Sequence, residues 1–580
     1  MKSNNPPVWA PRAVPLLCAL VAAAVFASAG AEPAADTVTV SEAQCSQTQL
    51  GARIDPAAIG EPVSGVRIDA VQWIPASEHA GALCVVEGQL LPVDQGPTAF
   101  PIRFAVALPS VWNRRSIHQG GGGMDGFVPR FGPAPAGAAF PGAPPNDAAR
   151  GFAVYGSDSG HGQDPHWALN DEAIRNFGYA QLKKTHDVAQ ILIRRMYGSA
   201  PRYRYFVGTS QGGREALTVA QRYPNDYEGV AANVPVVSLL GLMASPAEIR
   251  RHERKLEDWV PKVKARAIAA EFMRQCDALD GLADGVINDY LRCHALFDVN
   301  SGKAKDPWAA KRCAGNHDPN PTDASEAACL TDGQIRTLEF IFSPRPYGVA
   351  LANGARSFGM WLPSTEVATG GLGGGNALLT DTRYQGQEGA PADAKVFAAL
   401  GTNGVTGFWL RDLEANPLTF EMTPALHQRE QQLSQWLDST NPDLSAFRRH
   451  GGKLIVAIGT NDTLASPGAQ LQYYAALHRR MGSTLEGFAR LYVLPQRGHG
   501  LTGNHYTVTG EGKTIAADPL PSRFDRLALL QQWVEDAHAP EATQVVTGQN
   551  GTSGLMCSYP QHPQYRSGDP NQAAAWECRD

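Results

Sequence analysis

Short apolar runs alternate with longer amphipathic segments in two stretches of the chain, with an irregular segment between them. In the first stretch, strand-like runs at 100–108 and 152–155 precede a helical segment at about 172–196. In the second, 453–458 and 488–494 are continuous apolar runs typical of buried strands. Strands that alternate with helices predict an α/β fold with a mostly parallel sheet covered on both faces.

The alternation breaks down between about residues 240 and 449. This segment contains four cysteines, loops rich in Gly, Pro and Asn, and scattered aromatic residues that include Trp308 and Trp361. We interpret it as a lid domain, inserted between a first part (32–239) and a second part (450–580) of one catalytic domain.

The N-terminus has the pattern of a secretory signal peptide. Lys2 and Arg12 precede an apolar run from Ala13 to Ala29, which is followed by further small residues. A transmembrane anchor is the alternative, but the run is short for a span, and no later segment resembles one. We therefore expect residues 1–31 to be a signal peptide and the mature protein to be secreted or periplasmic.

Composition indicates which classes of partner the protein can bind and whether its cysteines are oxidised. The 580-residue chain has a formal net charge of −6 and no long basic run, which argues against nucleic acid or an anionic membrane as partner and favours a small-molecule substrate. Eight cysteines follow the signal segment, an even number that predicts disulfides in an exported protein. We expect pairing between near neighbours among Cys45, Cys84, Cys276, Cys293, Cys313, Cys329, Cys557 and Cys578.

A candidate nucleophile lies in the segment that begins at Tyr203. The β-branched and aromatic run 203–207 leads into Gly-Thr-Ser-Gln-Gly, and a helix-forming segment at 214–222 follows. A strand, a serine flanked by glycines and a helix are the context of a nucleophile elbow. A glycine-rich turn with an incidental serine is the alternative, but the context on both sides favours Ser210 as the nucleophile.

Two later residues complete a candidate triad with Ser210. Asp462 follows one predicted strand and His499 follows the next, which gives the order Ser, Asp, His of α/β-hydrolases. In such a triad the histidine takes the serine proton and the aspartate orients the imidazole. His505 and His161 are competing histidines, but His499 alone follows the penultimate strand.

A second glycine-rich segment follows the predicted strand near residue 117. Gly120 to Gly123 are consecutive glycines, whose backbone N–H groups can approach a ligand closely and so suit an oxyanion hole. A purely structural loop is the alternative.

A third candidate site is acidic. Asp277, Asp280 and Asp284 are clustered with glycines in a segment bordered by Cys276 and Cys293. Hard oxygen ligands on a tight loop suit calcium, although the spacing is not that of an EF-hand, and a solvated acidic turn remains the alternative.

With these motifs in place, the chain resembles the tannase and feruloyl esterase family of α/β-hydrolases, which includes enzymes that act on mono-hydroxyethyl terephthalate. The resemblance covers the glycine loop at 120–126, Ser210-Gln-Gly-Gly-Arg-Glu-Ala-Leu, the cysteine-rich lid, Asp462 and His499. It implies an α/β-hydrolase fold with a large inserted lid domain and an activity on esters of aromatic acids. It also implies that the oxyanion donors are Gln211 and either Gly121 or Gly122.

The resemblance implies a structural calcium ion in the lid. The ligands that match it are Asp277, Asp280, the Leu282 carbonyl, Asp284 and the Val286 carbonyl. In one respect the chain departs from the family pattern, in which cysteines before the serine and after the histidine form a disulfide. Thr209 and Gly500 stand at those positions.

These observations favour an exported serine carboxylesterase that cleaves feruloyl-type or galloyl-type esters through an acyl-enzyme. A hydrolase of the mono-hydroxyethyl terephthalate type is the alternative, and it would need a cation for the free carboxylate. Arg411, beside Phe408 and Trp409, is the candidate for that role, with Trp409 as a further substrate contact. A non-catalytic phenolic- or carbohydrate-binding protein on the same fold is the alternative from another class.

Overall fold

The computed structural model describes residues 37–77, 81–129, 147–368, 377–398 and 404–580. The signal segment predicted at 1–31 lies outside these residues. The strands are β1 (Val38–Thr39), β2 (Arg53–Ile54), β3 (Gly65–Ile74), β4 (Leu83–Leu91), β5 (Ile102–Pro109), β6 (Val111–Trp112), β7 (Arg115–Gln119), β8 (Ala153–Ser157), β9 (Tyr203–Thr209), β10 (Gly229–Asn233), β11 (Arg345–Pro346), β12 (Ser357–Phe358), β13 (Lys453–Gly459), β14 (Ala489–Leu494), β15 (Thr543–Thr547), β16 (Ser553–Ser558), β17 (His562–Tyr565) and β18 (Trp576–Arg579).

The α-helices surround a large sheet. They are α1 (Gln47–Leu50), α2 (Asp171–Arg175), α3 (Gln181–Tyr197), α4 (Gln211–Arg222), α5 (Leu239–His252), α6 (Ala265–Cys276), α7 (Tyr290–Phe297), α8 (Asp332–Ile341), α9 (Pro424–Leu437), α10 (Ser445–His450), α11 (Pro467–Met481) and α12 (Arg526–Glu535). Of the helices in the described part of the chain, none combines the length and the apolar composition that a membrane span needs.

The main sheet has the strand order β15-β16-β14-β13-β10-β9-β7-β8-β5-β4-β3-β2. Its centre, from β14 to β8, is parallel, and antiparallel strands extend it on both sides. Parallel strands place their carboxyl ends at one edge, so the segments that follow β7, β9, β13 and β14 meet there. The fold class is the α/β architecture that the alternation of strands and helices predicts.

Strand β13 shows how the sheet is covered on both faces. Leu454, Val456 and Ile458 pack in one cluster with residues of α4 and α11, whereas Ile455 and Ala457 pack in another with residues of α12. All five side chains are buried. This is why β13 reads as a continuous apolar run rather than an alternating one.

The segment interpreted as a lid has a core of its own, in which Phe272, Phe297 and Trp308 contact one another edge to face. Residues 37–580 nevertheless form one compact unit, and the boundaries at 240 and 450 stay a prediction.

Four disulfides are present, and each joins the near neighbours expected from the sequence. The pairs are Cys45–Cys84, Cys276–Cys293, Cys313–Cys329 and Cys557–Cys578. Eight paired cysteines are typical of a protein that folds in an oxidising compartment.

Candidate functional site

Ser210 lies in the sharp turn between β9 and α4. Its backbone has φ 63° and ψ −118°, a conformation that is strained for a residue with a side chain, and its side chain does not cap the helix. The flanking glycines are required by contact: a Cβ on Gly208 would lie 2.0 Å from the Gly212 carbonyl oxygen. The turn therefore has the geometry of a nucleophile elbow, with the hydroxyl left for chemistry.

Asp462 and His499 meet at the same edge of the sheet. The imidazole Nδ1 of His499 lies 2.9 Å from Oδ2 of Asp462 and 3.1 Å from Oδ1. The buried Asp462 carboxylate also accepts the backbone N–H groups of Leu464 and Ala465, both at 2.9 Å, which fixes its orientation. Burial of His499 lowers its pKa, but the charge and hydrogen bond of Asp462 outweigh this effect, so the pKa is raised overall.

Ser210 and His499 line one cavity, of about 80 Å³. Its other described lining residues are mainly apolar: Gly123, Met124, Gln211, Val236, Leu239, Leu242, Met243, Pro246, Trp361, Thr463 and Leu464. This is smaller than ordinary ligand sites, so a substrate must displace side chains to enter. Met124 and Met243 are flexible enough to move.

A second cavity, of about 470 Å³, touches His499 from another direction. Polar side chains line it, among them Glu366, Asn504, Arg523 and Gln549. Burial and the neighbouring Asp462 charge raise the pKa of the Glu366 carboxyl. His499 thus lines both a mainly apolar cavity and a larger one of mixed polarity.

The backbone donors near Ser210 are not equivalent. The N–H of Gly121 donates to Glu215 Oε2 at 2.9 Å, whereas the N–H groups of Gln211 and Gly122 have no acceptor among the described residues. Of the expected oxyanion donors, Gln211 and Gly122 are therefore free to bind a ligand and Gly121 is engaged.

The competing histidines lie elsewhere. His161 is stacked on Trp167 with ring centroids 3.8 Å apart, as a structural histidine would be. Nδ1 of His505 lies 3.0 Å from the Asp518 carbonyl oxygen.

The two substrate contacts expected in the lid are outside the cavity at Ser210. Arg411 is hydrogen-bonded to Asp171 and to the Leu169 carbonyl, and Trp409 Nε1 donates to the Leu426 carbonyl. Neither is among the described residues that line the cavity. The lid contributes Trp361 and the α5 residue Met243 instead. The sequence marks Trp361 only as one of several scattered aromatic residues.

The acidic segment 277–286, called the acidic loop below, is folded around its carboxylates. Asp277 accepts the N–H groups of Gly285, Val286 and Gly510. Asp280 accepts the N–H of Leu282 and the amide of Asn288, and Asp284 accepts the N–H of Val286. The turn is therefore an ordered feature, in which Asp277 and Asp280 are fully buried.

The electrostatics of the acidic loop favour a cation. Burial raises the pKa of Asp277, and burial together with the neighbouring carboxylates raises the pKa of Asp280 to about 8 and that of Asp284 to about 7. Hard oxygen donors with unbalanced negative charge fit calcium. In this structure the three carboxylates are less tightly grouped than Cys313, Asp318 and Cys329, the one trio in the described chain with ligand atoms within 4.8 Å of one another. The two cysteines of that trio form a disulfide.

Comparison with known proteins gives a consistent result. The family model "Tannase and feruloyl esterase" matches residues 84–579. An uncharacterized esterase of Agrobacterium fabrum is 32% identical over 541 residues, which cover 90% of each chain. The mono(2-hydroxyethyl) terephthalate hydrolase of Piscinibacter sakaiensis is 27% identical over 579 residues, which cover 89% of each chain.

Among solved structures, feruloyl esterase B from Aspergillus oryzae superposes with a TM-score of 0.67 at 22% identity, covering 92% of this chain and 100% of that one. The likeness confirms the predicted fold class. The inference that the chain departs from the family pattern at Thr209 and Gly500 is not supported. The structure contains four disulfides, which lie elsewhere in the chain. The match of the family model over most of the chain, with the relatives, shows that the protein is an esterase that belongs to the tannase and feruloyl esterase family.

Proposed function

We propose that the protein is an exported serine esterase that cleaves esters of aromatic acids through an acyl-enzyme on Ser210. The observation that carries this proposal is the pairing of His499 with the buried Asp462 carboxylate, together with the cavity that His499 and Ser210 both line. Export is supported by the signal-like segment 1–31 and the four disulfides.

The chemistry follows from these groups. His499 accepts the proton of the Ser210 hydroxyl as the oxygen attacks the ester carbonyl, and Asp462 stabilises the imidazolium that forms. The negative charge on the carbonyl oxygen is bound by the N–H groups of Gln211 and Gly122. His499 then gives its proton to the leaving alcohol, and a water molecule activated by the same histidine releases the acid.

The two cavities beside His499 support a substrate with an apolar acid and a polar alcohol. An aromatic acyl group matches the lining of Met243 and Trp361, and a hydroxylated alcohol matches the side with Asn504 and Arg523. Feruloyl esters of hydroxylated alcohols have this division, whereas a galloyl group brings three phenolic hydroxyls to the acid side.

The terephthalate alternative is less well supported by this cavity. A free carboxylate on the acid would be desolvated beside apolar side chains, and His499 is the one cationic candidate among the described lining residues. Arg411, the cation expected for this role, is paired with Asp171.

A panel of esters tests the function. We expect turnover of methyl ferulate or methyl gallate, with p-nitrophenyl acetate as a reference and Ser210→Ala as the inactive control. No hydrolysis of any ester by folded wild type would favour a phenolic-binding protein.

A matched pair tests the terephthalate alternative. Dimethyl terephthalate and monomethyl terephthalate differ only in the free carboxylate. We expect a higher kcat/KM for the diester, and a preference for the monoester or for mono-hydroxyethyl terephthalate would reverse this assignment.

The acidic loop is proposed to bind a structural calcium ion through the Asp277, Asp280 and Asp284 carboxylates and the Leu282 and Val286 carbonyls. Their oxygen chemistry and the raised pKa values of the three carboxyls support it. The ion would neutralise the loop and takes no part in the ester chemistry proposed for Ser210.

A further inference from the structure

The glycine loop (residues 120–126) packs directly on the first turn of α4 and on a buried acidic group. A Cβ on Gly120 would lie 2.7 Å from the Gly212 Cα and 3.0 Å from Oε2 of the buried Glu215. Only glycine permits this approach, so the loop is positioned by what lies beneath it.

Glu215 is the main anchor of the loop. Its side chain is buried, 1% exposed, in the second turn of the helix that begins after Ser210. Oε2 accepts the N–H of Gly121 at 2.9 Å, and Oε1 accepts the side-chain amide of Gln181 at 3.0 Å. Each carboxylate oxygen of Glu215 therefore already accepts one hydrogen bond.

Asp125, in the same loop, has one oxygen without a donor. Ser159 donates its hydroxyl to Oδ2, but Oδ1 is buried and has no donor among the described residues. The Asp125 and Glu215 carboxyl groups nevertheless converge on Gly121: Asp125 Oδ1 lies 2.5 Å from the position of a Cβ on that glycine, and Glu215 Oε2 accepts its N–H. Two buried carboxyl oxygens can form a hydrogen bond with each other only when one of them carries a proton.

The surrounding charges also favour a single negative charge on this pair. Among the described residues, Arg214 and His161 are the charged or titratable groups that act on the pair, and the buried Asp438 carboxyl shares the charge of Arg214 with it. The buried Arg214 guanidinium donates to the carbonyls of Phe177, Gly178 and Leu437 and contributes one positive charge. Burial lowers the pKa of His161, which favours its neutral form, and burial raises the pKa of both Asp125 and Glu215.

We propose that Asp125 and Glu215 are positioning residues that share one proton, carried by Asp125 Oδ1, and that this pair fixes the glycine loop so that Gly122 rather than Gly121 binds the oxyanion. The proposal rests on the esterase function proposed for Ser210. Loss of the proton would place two negative charges beneath the loop with one arginine to balance them. The loop would then move away from Glu215, and the oxyanion donors would lose their alignment.

Wild type and two variants test the shared proton through the pH profile of kcat. Wild type is expected to lose kcat at alkaline pH, beyond the range in which His499 titrates. Asp125→Asn keeps a donor toward Glu215 but has no proton to lose, so its kcat should stay within about tenfold of wild type and the alkaline fall should disappear. Glu215→Ala removes the anchor of Gly121, and kcat should fall about 10²-fold or more, as on loss of an oxyanion donor.

Glu253→Gln is a matched control. Glu253 is another buried carboxyl, paired with Arg250 in the lid, and its pKa is about 7. This variant should keep the alkaline fall in kcat. An identical alkaline limb in wild type and Asp125→Asn, or an Asp125→Asn enzyme as inactive as Glu215→Ala, would overturn the shared proton.

Infrared spectroscopy supplies a readout that does not need turnover. The difference spectrum between wild type and Asp125→Asn should contain the carbonyl band of a protonated carboxylic acid at neutral pH, and the wild-type band should vanish when the alkaline limb is reached. Absence of the band in folded protein refutes this inference even if esters are cleaved. Its presence without turnover of any ester refutes the proposed function alone. If Asp125→Asn does not fold, the titration of the wild-type band is compared with that of Glu253→Gln and of Asp280→Ala, which remove other carboxyls with raised pKa, and the band must persist in both.

Discussion

Two clusters of buried carboxyl groups differ in how their charge can be relieved. Asp125 and Glu215 lie beside one guanidinium, that of Arg214, so a single proton leaves the group neutral. The acidic loop holds three carboxyls whose hydrogen-bond donors are backbone N–H groups and the Asn288 amide, with Arg497 as the cation that acts on Asp284. An excess of one charge can be removed by protonation, whereas a larger excess favours a divalent cation. The first cluster should therefore govern catalysis and the second stability.

The largest effect is expected on activity, when Ser210 is replaced. Ser210→Ala should lower kcat about 10⁴-fold or more, because the acyl-enzyme route is lost. The melting temperature should change little. His499→Ala should behave alike and His505→Ala should not. Near-wild-type turnover by Ser210→Ala would mean that the nucleophile is another residue.

The acidic loop should show the opposite pattern. Removal of calcium by a chelator should lower the melting temperature by roughly 2 °C or more, since an ion at about a hundred times its Kd stabilises by about 2.7 kcal/mol and the unfolding entropy of so long a chain is large. Asp280→Ala should abolish that sensitivity. The measurement is a thermal melt of protein shown to contain the metal, with and without chelator, and superimposable melts would count against a structural calcium.

The free energy of unfolding should depend on pH differently in the metal-free and in the calcium-loaded protein. The folded-state pKa values of about 8 for Asp280 and about 7 for Asp284 lie above the unfolded value near 3.9, so the metal-free folded state binds more protons between these limits. The stability of metal-free protein should therefore fall as pH rises from about 4 to 8, by at most about 1.4 kcal/mol per pH unit for each carboxyl. Calcium should flatten this slope, which denaturant unfolding at several pH values would measure.

The smallest effect is expected in the segments that carry Ser210 and His499, two residues that line one cavity. If Thr209 and Gly500 occupy the places of the family's cysteines, Thr209→Cys with Gly500→Cys should form a disulfide in an oxidising medium, because the Cα atoms would lie within about 6.8 Å. Its effect on stability should be small, since strain often offsets the loop-closure gain. Mass spectrometry distinguishes the bond from two free thiols, and free thiols in the folded variant would argue against the family-based position of His499.

Local patterns were sufficient for the central elements of the fold. The apolar run from Lys453 was expected to end at Ile458, and β13 ends one residue later. The helix expected from Arg214 begins earlier, at Gln211, because the elbow turns within a single residue. The C-terminal segment, for which the sequence predicts no strand, forms strands β15 to β18, since short strands with little apolar alternation are defined by their partners.

Contacts between distant segments were beyond the reach of the sequence. The contact of Glu215 with Gly121 joins residues 94 positions apart, and neither carries a local signal for it. Arg411 looked suitable for a carboxylate because Phe408 and Trp409 precede it. Its partner in the structure is Asp171, 240 residues away.

The four disulfides have a consequence for how the chain acquires its bonds. Eight cysteines allow 105 complete pairings. Here the bridged residues are 39, 17, 16 and 21 positions apart, and no bridge encloses or crosses another. A chain that emerges gradually from its N-terminus into an oxidising compartment presents the two partners of each bridge before the next pair appears. Oxidation in order of emergence therefore gives the native pairing without rearrangement, and the demand on a disulfide isomerase is low.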